Sequence, residues 1–136
     1  VTAIDVSPEL ARLASAFSGQ SCRVLAFQDM KFRAEFDGIW ACASLLHVPQ
    51  REMPDVLKRF AIALKPGGIL YASLKEGDGE RVAEDGRFFS YFRQEGFKTL
   101  LTQQGRFELV ESWLTHAADS SGRSWPWLNF LATSKS

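Results

Sequence analysis

Apolar positions in this chain fall into short β-branched runs that alternate with stretches at helical spacing. Val1-Thr2-Ala3-Ile4 predicts a short buried strand, with Asp5 emerging at its tip. Ser7 and Pro8 follow as an N-cap and a first helical residue that needs no amide partner, and Leu10, Leu13, Ala14 and Phe17 continue at helical spacing until Ser18-Gly19-Gln20. Arg23 to Gln28 predicts a second strand leading into Asp29-Met30. Phe36 to Ala43 predicts a third, and its lack of polar alternation predicts burial on both faces, as in parallel sheets.

The clearest periodic element lies between His47 and Lys65, where Met53, Val56, Leu57, Phe60, Ala61 and Leu64 share one helical face. Lys65-Pro66-Gly67-Gly68 stops that helix, and Ile69 to Leu74 predicts the next strand. Strands alternating with helices predict a parallel sheet with right-handed crossovers. Beyond Lys75 the pattern changes. Glu76 to Asp85 reads as a mobile loop, and Arg87-Phe88-Phe89-Ser90-Tyr91-Phe92 is aromatic enough to pack over something. Phe97, Leu100 and Leu101 predict a helix ending near Gly105. Phe107 to His116 and Trp125 to Thr133 read as two strands whose connection, residues 117–123, suits an antiparallel hairpin.

Composition narrows the classes. The 136 residues make about one domain, and 46% apolar content suffices for a core. A formal net charge of zero argues against nucleic acid as a partner. The nearly apolar run from Ile39 to Val48 is too short to span a membrane, and Val1-Thr2-Ala3-Ile4-Asp5 does not read as a signal peptide, so the expectation is a soluble protein. Cys22 and Cys42 sit in apolar stretches without metal-ligand spacing, which suits free thiols in a reducing cytoplasm.

Ile4-Asp5-Val6-Ser7-Pro8-Glu9-Leu10, Gln28-Asp29-Met30, Phe36-Asp37 through Leu45-Leu46-His47-Val48, and Leu64-Lys65-Pro66-Gly67-Gly68-Ile69-Leu70 stand in an order and spacing that resemble the class I S-adenosylmethionine-dependent methyltransferases. The similarity is to the small bacterial, tellurite-resistance-like type. It implies an α/β fold, a Rossmann-like three-layer sandwich whose mostly parallel sheet ends in an antiparallel C-terminal hairpin. Residues 1–136 would be a partial methyltransferase domain, the family's strands 2 to 7. Ligands of open α/β sheets bind beyond the carboxyl ends of strands. The resemblance therefore implies that Asp5 accepts from the ribose hydroxyls of S-adenosylmethionine, Val6 touches the adenine, Asp29 accepts its amino group and Met30 covers the ring. Carbonyls of Ala41, Cys42 and Ala43 would face the amino group of the methionine moiety. A helix N-terminal charge is the alternative reading of Asp5, and turn chemistry that of Asp29.

Asp37 enters its strand at the end away from the ligand edge and reads as structural. His47 follows the binding strand and is the candidate catalytic residue, a neutral imidazole able to take a proton from a substrate, against the alternative of a helix-start His satisfied by backbone. His116 reads as incidental. Methyl transfer from a sulfonium is a direct displacement and needs no nucleophilic side chain, but it needs alignment and exclusion of water. The acidic loop and the aromatic run after it are the expected lid, with Arg87 pairing with an anionic small-molecule substrate and Tyr91 orienting it. Roofing of the sheet by those aromatics is the competing reading. Glu76, Asp78 and Glu80 lack the ligand set of a metal site. Trp125-Pro126-Trp127 reads as hairpin packing or as pocket lining.

A domain of this class normally opens with a strand and a glycine-rich turn, and neither lies in residues 1–4. In the family's strand order, 3-2-1-4-5-7-6, that strand is central, so the expectation is that the sequence is a fragment of a longer chain. A noncatalytic truncated module that pairs through exposed strands, and another nucleotide-binding α/β enzyme such as a dehydrogenase, stay open beside the methyltransferase. Homodimerisation through an exposed edge is equally open.

Overall fold

The computed structural model describes residues 1–118 and 122–135. It divides into two compact units, Val1–Lys31 and Phe32–Ser136.

In the first unit, strands β1 (Ala3–Asp5) and β2 (Cys22–Val24) pair in parallel, with Ile4 opposite Arg23. Helix α1 (Pro8–Ser18) crosses between them, starting where the sequence predicts: the Ser7 side chain accepts from the Leu10 amide, Pro8 takes the first turn, and Gly19 closes the helix at φ 73°. The second strand is shorter than expected. After Val24 the chain leaves the pairing and makes a 3-10 turn, Phe27–Asp29, closed by the Met30 amide on the Phe27 carbonyl.

The second unit holds a four-stranded sheet in the order β3-β4-β8-β7. Strands β3 (Phe36–Ala41) and β4 (Leu64–Lys75) run parallel, joined by helix α2 (Met53–Ala63). Strand β8 (Ser124–Ser134) is antiparallel to both β4 and β7 (Phe107–Ala118), so the C-terminal hairpin is antiparallel as expected. Part of its connection, residues 119–121, lies outside the described residues. Helix α3 (Gln94–Thr102) precedes β7.

The apolar stripe of α2 is buried throughout, with Met53, Val56 and Phe60 fully enclosed. Two 3-10 turns, Leu45–His47 and Gln50–Glu52, occupy the region before it, so the helix starts later than the His47 boundary suggests. Gly68 is required within β4: a Cβ there would lie 2.9 Å from the Lys65 carbonyl and 3.2 Å from that of Asp37. Along β4, Leu70, Ala72 and Leu74 join Phe97, Leu128 and Phe130 in the core. The alternate residues Ile69, Tyr71, Ser73 and Lys75 occupy the other face.

That second face departs from expectation at β3. Trp40 is 74% exposed, stacked on Tyr71 at 4.2 Å, so the strand is not buried on both faces. An unbroken apolar run does not by itself distinguish a doubly covered strand from one whose second face carries exposed aromatics. The segment read as a mobile loop is also ordered: β5 (Glu80–Val82) and β6 (Phe88–Ser90) form an antiparallel hairpin. Polar tertiary bonds explain it. Gln50 donates from its side chain to the carbonyls of Gly79 and Tyr91, and from its amide to Glu80.

Candidate functional site

Asp5 ends β1, half-buried, with Oδ1 accepting from the Ser7 amide at 2.9 Å. That bond is the helix-start role weighed as its alternative, and it engages one of the two carboxylate oxygens. Val6 is exposed, Asp29 is exposed at the end of its 3-10 turn, and Met30 is buried. Asp5 and Asp29 both follow strands at their carboxyl ends within the first unit, and one hydrogen bond, Leu25 amide to Asp5 carbonyl, joins the two strand ends.

In the second unit Ala41 is buried at the end of β3, and exposed Cys42 and Ala43 follow it. Ala43 has φ 52°, a left-handed conformation that costs a residue with a Cβ. It is held there by Ser73 on β4, whose Oγ accepts from the Ala43 amide at 2.8 Å. Ser44 next to it has a buried hydroxyl with no partner among the described residues. A strained turn fixed from the neighbouring strand is a polar ledge whose carbonyls suit an ammonium such as that of a methionine moiety.

His47 closes the turn after this ledge. Its Nδ1 lies 2.8 Å from the Phe88 carbonyl, which only accepts, so Nδ1 carries a hydrogen and Nε2 is the ring nitrogen left without a protein partner. The same bond ties His47 to the β5–β6 hairpin. Its ring packs on Phe89 at 5.0 Å, and Tyr91 packs on Trp125 at 5.9 Å. Gly77 permits the Tyr91 position, because a Cβ on it would come within 3.0 Å of that side chain.

Arg87 is less available than its sequence position suggests. Its Nε donates to Asp85 at 2.7 Å and its guanidinium lies over Phe89 at 5.1 Å. The bonds from the Arg87 amide and side chain hold the Asp85 carboxyl below its ordinary range. The loop acids have protein partners too: Asp78 and Glu76 are paired with Arg93, and Glu80 accepts from Gln50. Among the described residues no three His, Cys, Asp or Glu side chains group as a metal site. Sequence reasoning passed over Lys75, whose ammonium sits among aromatic rings at the end of β4. Its neighbours there are drawn from positions as distant as Trp127, and no local spacing signals that meeting.

A family model described as a methyltransferase domain matches residues 1–72, from before β1 to Ala72 within β4, and the chain belongs to that family. S-adenosylmethionine is the cofactor that goes with this membership. No curated protein sequence matches. Among solved structures, an S-adenosylmethionine-dependent methyltransferase from Methanosarcina mazei is 21% identical with a TM-score of 0.87, the match covering 99% of this chain and 82% of that one. The Burkholderia thailandensis 1,6-didemethyltoxoflavin-N1-methyltransferase, solved with 1,6-didemethyltoxoflavin and S-adenosylhomocysteine, is 25% identical with a TM-score of 0.75, covering 100% and 61%. The Mesorhizobium loti S-adenosylmethionine-dependent methyltransferase is 16% identical with a TM-score of 0.70, covering 98% and 80%. The Rossmann-like α/β fold class expected from the sequence is thereby shown. Among the described residues no helix is long and apolar enough to cross a membrane.

Proposed function

We propose that this protein transfers a methyl group from S-adenosylmethionine to a small-molecule acceptor by direct displacement. The observation that carries the reading is the ledge after β3, where Ser73 fixes Ala43 in a left-handed turn beside the orphan hydroxyl of Ser44. When bound, S-adenosylmethionine would supply an electrophilic methyl carbon to the acceptor's lone pair, with the C–S electron pair left on sulfur. Carbonyls of Ala41, Cys42 and Ala43 hold the methionine end. Asp5, through the oxygen that Ser7 does not use, accepts from the ribose hydroxyls, a charge-assisted arrangement. Val6, Asp29 and Met30 provide the adenine contacts. His47 takes the acceptor's proton on Nε2, the tautomer being set by the Phe88 carbonyl. Tyr91 and the β5–β6 hairpin form the wall that excludes water, with Arg87 at its outer turn.

The Burkholderia enzyme, which the chain resembles over all its length, carries a small molecule beside the cofactor product, and this supports a small-molecule acceptor here. The four motif segments support the small bacterial tellurite-resistance-like type. The free thiols of Cys22 and Cys42 support a cytoplasmic setting. Calorimetric titration of the full-length protein with S-adenosylmethionine and with NAD tests the reading: saturable binding of the former is expected, and binding of NAD alone would sink it.

A further inference from the structure

We propose that Lys75 and its surrounding rings form the acceptor subsite, and that it takes a planar aromatic or heteroaromatic molecule bearing an anionic oxygen. The inference rests on the methyltransferase reading and extends it to the class of acceptor. Lys75 ends β4 on the face of Tyr71 and Ser73, half-buried, with Nζ 4.8 Å from the ring centre of Phe89, 5.4 Å from Trp125 and 5.7 Å from Trp127. Among the described residues its ammonium has no ion-pair or hydrogen-bond partner. The nearby acids are engaged elsewhere: Glu76 and Asp78 with Arg93, Glu80 with Gln50, Asp85 with Arg87.

Ring faces compensate a cation only in part and accept none of its hydrogens in a strong bond. An ammonium keeps three donors, and an anionic oxygen is the group that satisfies them. The rings around it select a flat partner, which stacks where a bulky aliphatic acid would not. Trp125 is a fixed wall, its Nε1 donating to the Glu76 carbonyl at 3.2 Å. The place suits methyl transfer. Ser73, the residue that holds the Ala43 ledge, is two positions before Lys75 on the same face, a distance of about 7 Å along the strand. His47, with Nε2 uncommitted, packs against Phe89 of the same box.

The test titrates 2-naphthoate, 2-naphthol and cyclohexanecarboxylate into the full-length protein, with and without saturating S-adenosylhomocysteine. Binding of 2-naphthoate should be at least about tenfold tighter than that of the uncharged or the non-planar probe. Lys75→Met, which keeps the apolar stem, should weaken 2-naphthoate by about tenfold or more, and Lys75→Arg should stay within about threefold of the parent. No binding of 2-naphthoate by the parent, or equal binding by the Met variant, overturns the subsite, as does equal loss in the Met and Arg variants. S-adenosylhomocysteine heats report separately: their absence beside a Lys75-dependent naphthoate response contradicts the methyltransferase reading while supporting the subsite.

Discussion

The two faces of β4 differ in kind although they alternate along the same residues. Leu70, Ala72 and Leu74 are at most 1% exposed and meet the rings of the core, whereas Tyr71, Ser73 and Lys75 face a surface of aromatics, a strained turn and an unpaired cation. Apolar contacts on the first face carry stability. On the proposed function, polar groups on the second, placed by single hydrogen bonds, carry the chemistry, so that one strand would supply a rigid base and an active edge through its period of two.

Substitutions on the two faces should therefore separate stability from activity. Phe97→Ala, which deletes a fully buried ring 4.7 Å from Phe130, should cost about 3–5 kcal/mol in urea denaturation. His47→Ala should leave the denaturation midpoint near the parent's while lowering the methyl-transfer rate by about 100-fold or more. Equal loss of stability and rate in that variant would erase the distinction. Gly68→Ala, pressed against the Lys65 carbonyl at 2.9 Å, should cost about 1–3 kcal/mol by displacing the start of β4.

The core face was legible in the sequence and much of the polar and aromatic face was not. Met53, Val56, Leu57 and Phe60 announce α2 by spacing alone, and Ser7, Pro8 and Gly19 mark the ends of α1, because these signals act within a few residues. The segment of residues 76–85 that leads into the β5–β6 hairpin is polar in sequence and is tied down by Gln50 and Arg93, which lie outside it. Motif order assigns Asp5, Asp29 and Ala43 to the proposed cofactor site; it does not disclose the left-handed turn at Ala43 or its Ser73 partner, 30 positions away. Arg87, which the sequence assigns to substrate, is paired with its neighbour Asp85, a local contact that no spacing rule singles out.

The smallest predicted effect concerns that hairpin and acid. The Arg93 hydrogen bond holds the Asp78 carboxyl below its ordinary value of 3.8. A depressed carboxyl pKa contributes stability that is complete above the unfolded value and is lost as pH falls through the folded one. Acidification below 3.8 should therefore shift the amide resonances of Gly77, Gly79 and Tyr91 together, and Arg93→Gln should move the transition up toward the ordinary carboxyl value. Because the pair is exposed, the midpoint of global unfolding should barely move.

Ser73→Ala in the full-length protein, assayed by calorimetry with S-adenosylhomocysteine, tests the division between the two faces most directly. The variant deletes the acceptor that holds the Ala43 amide and leaves the packing of Leu70, Ala72 and Leu74 in place. Affinity should fall by about tenfold with a stability loss near 1 kcal/mol. Unchanged affinity would contradict the assignment of that ledge, and of the face it stands on, to cofactor binding.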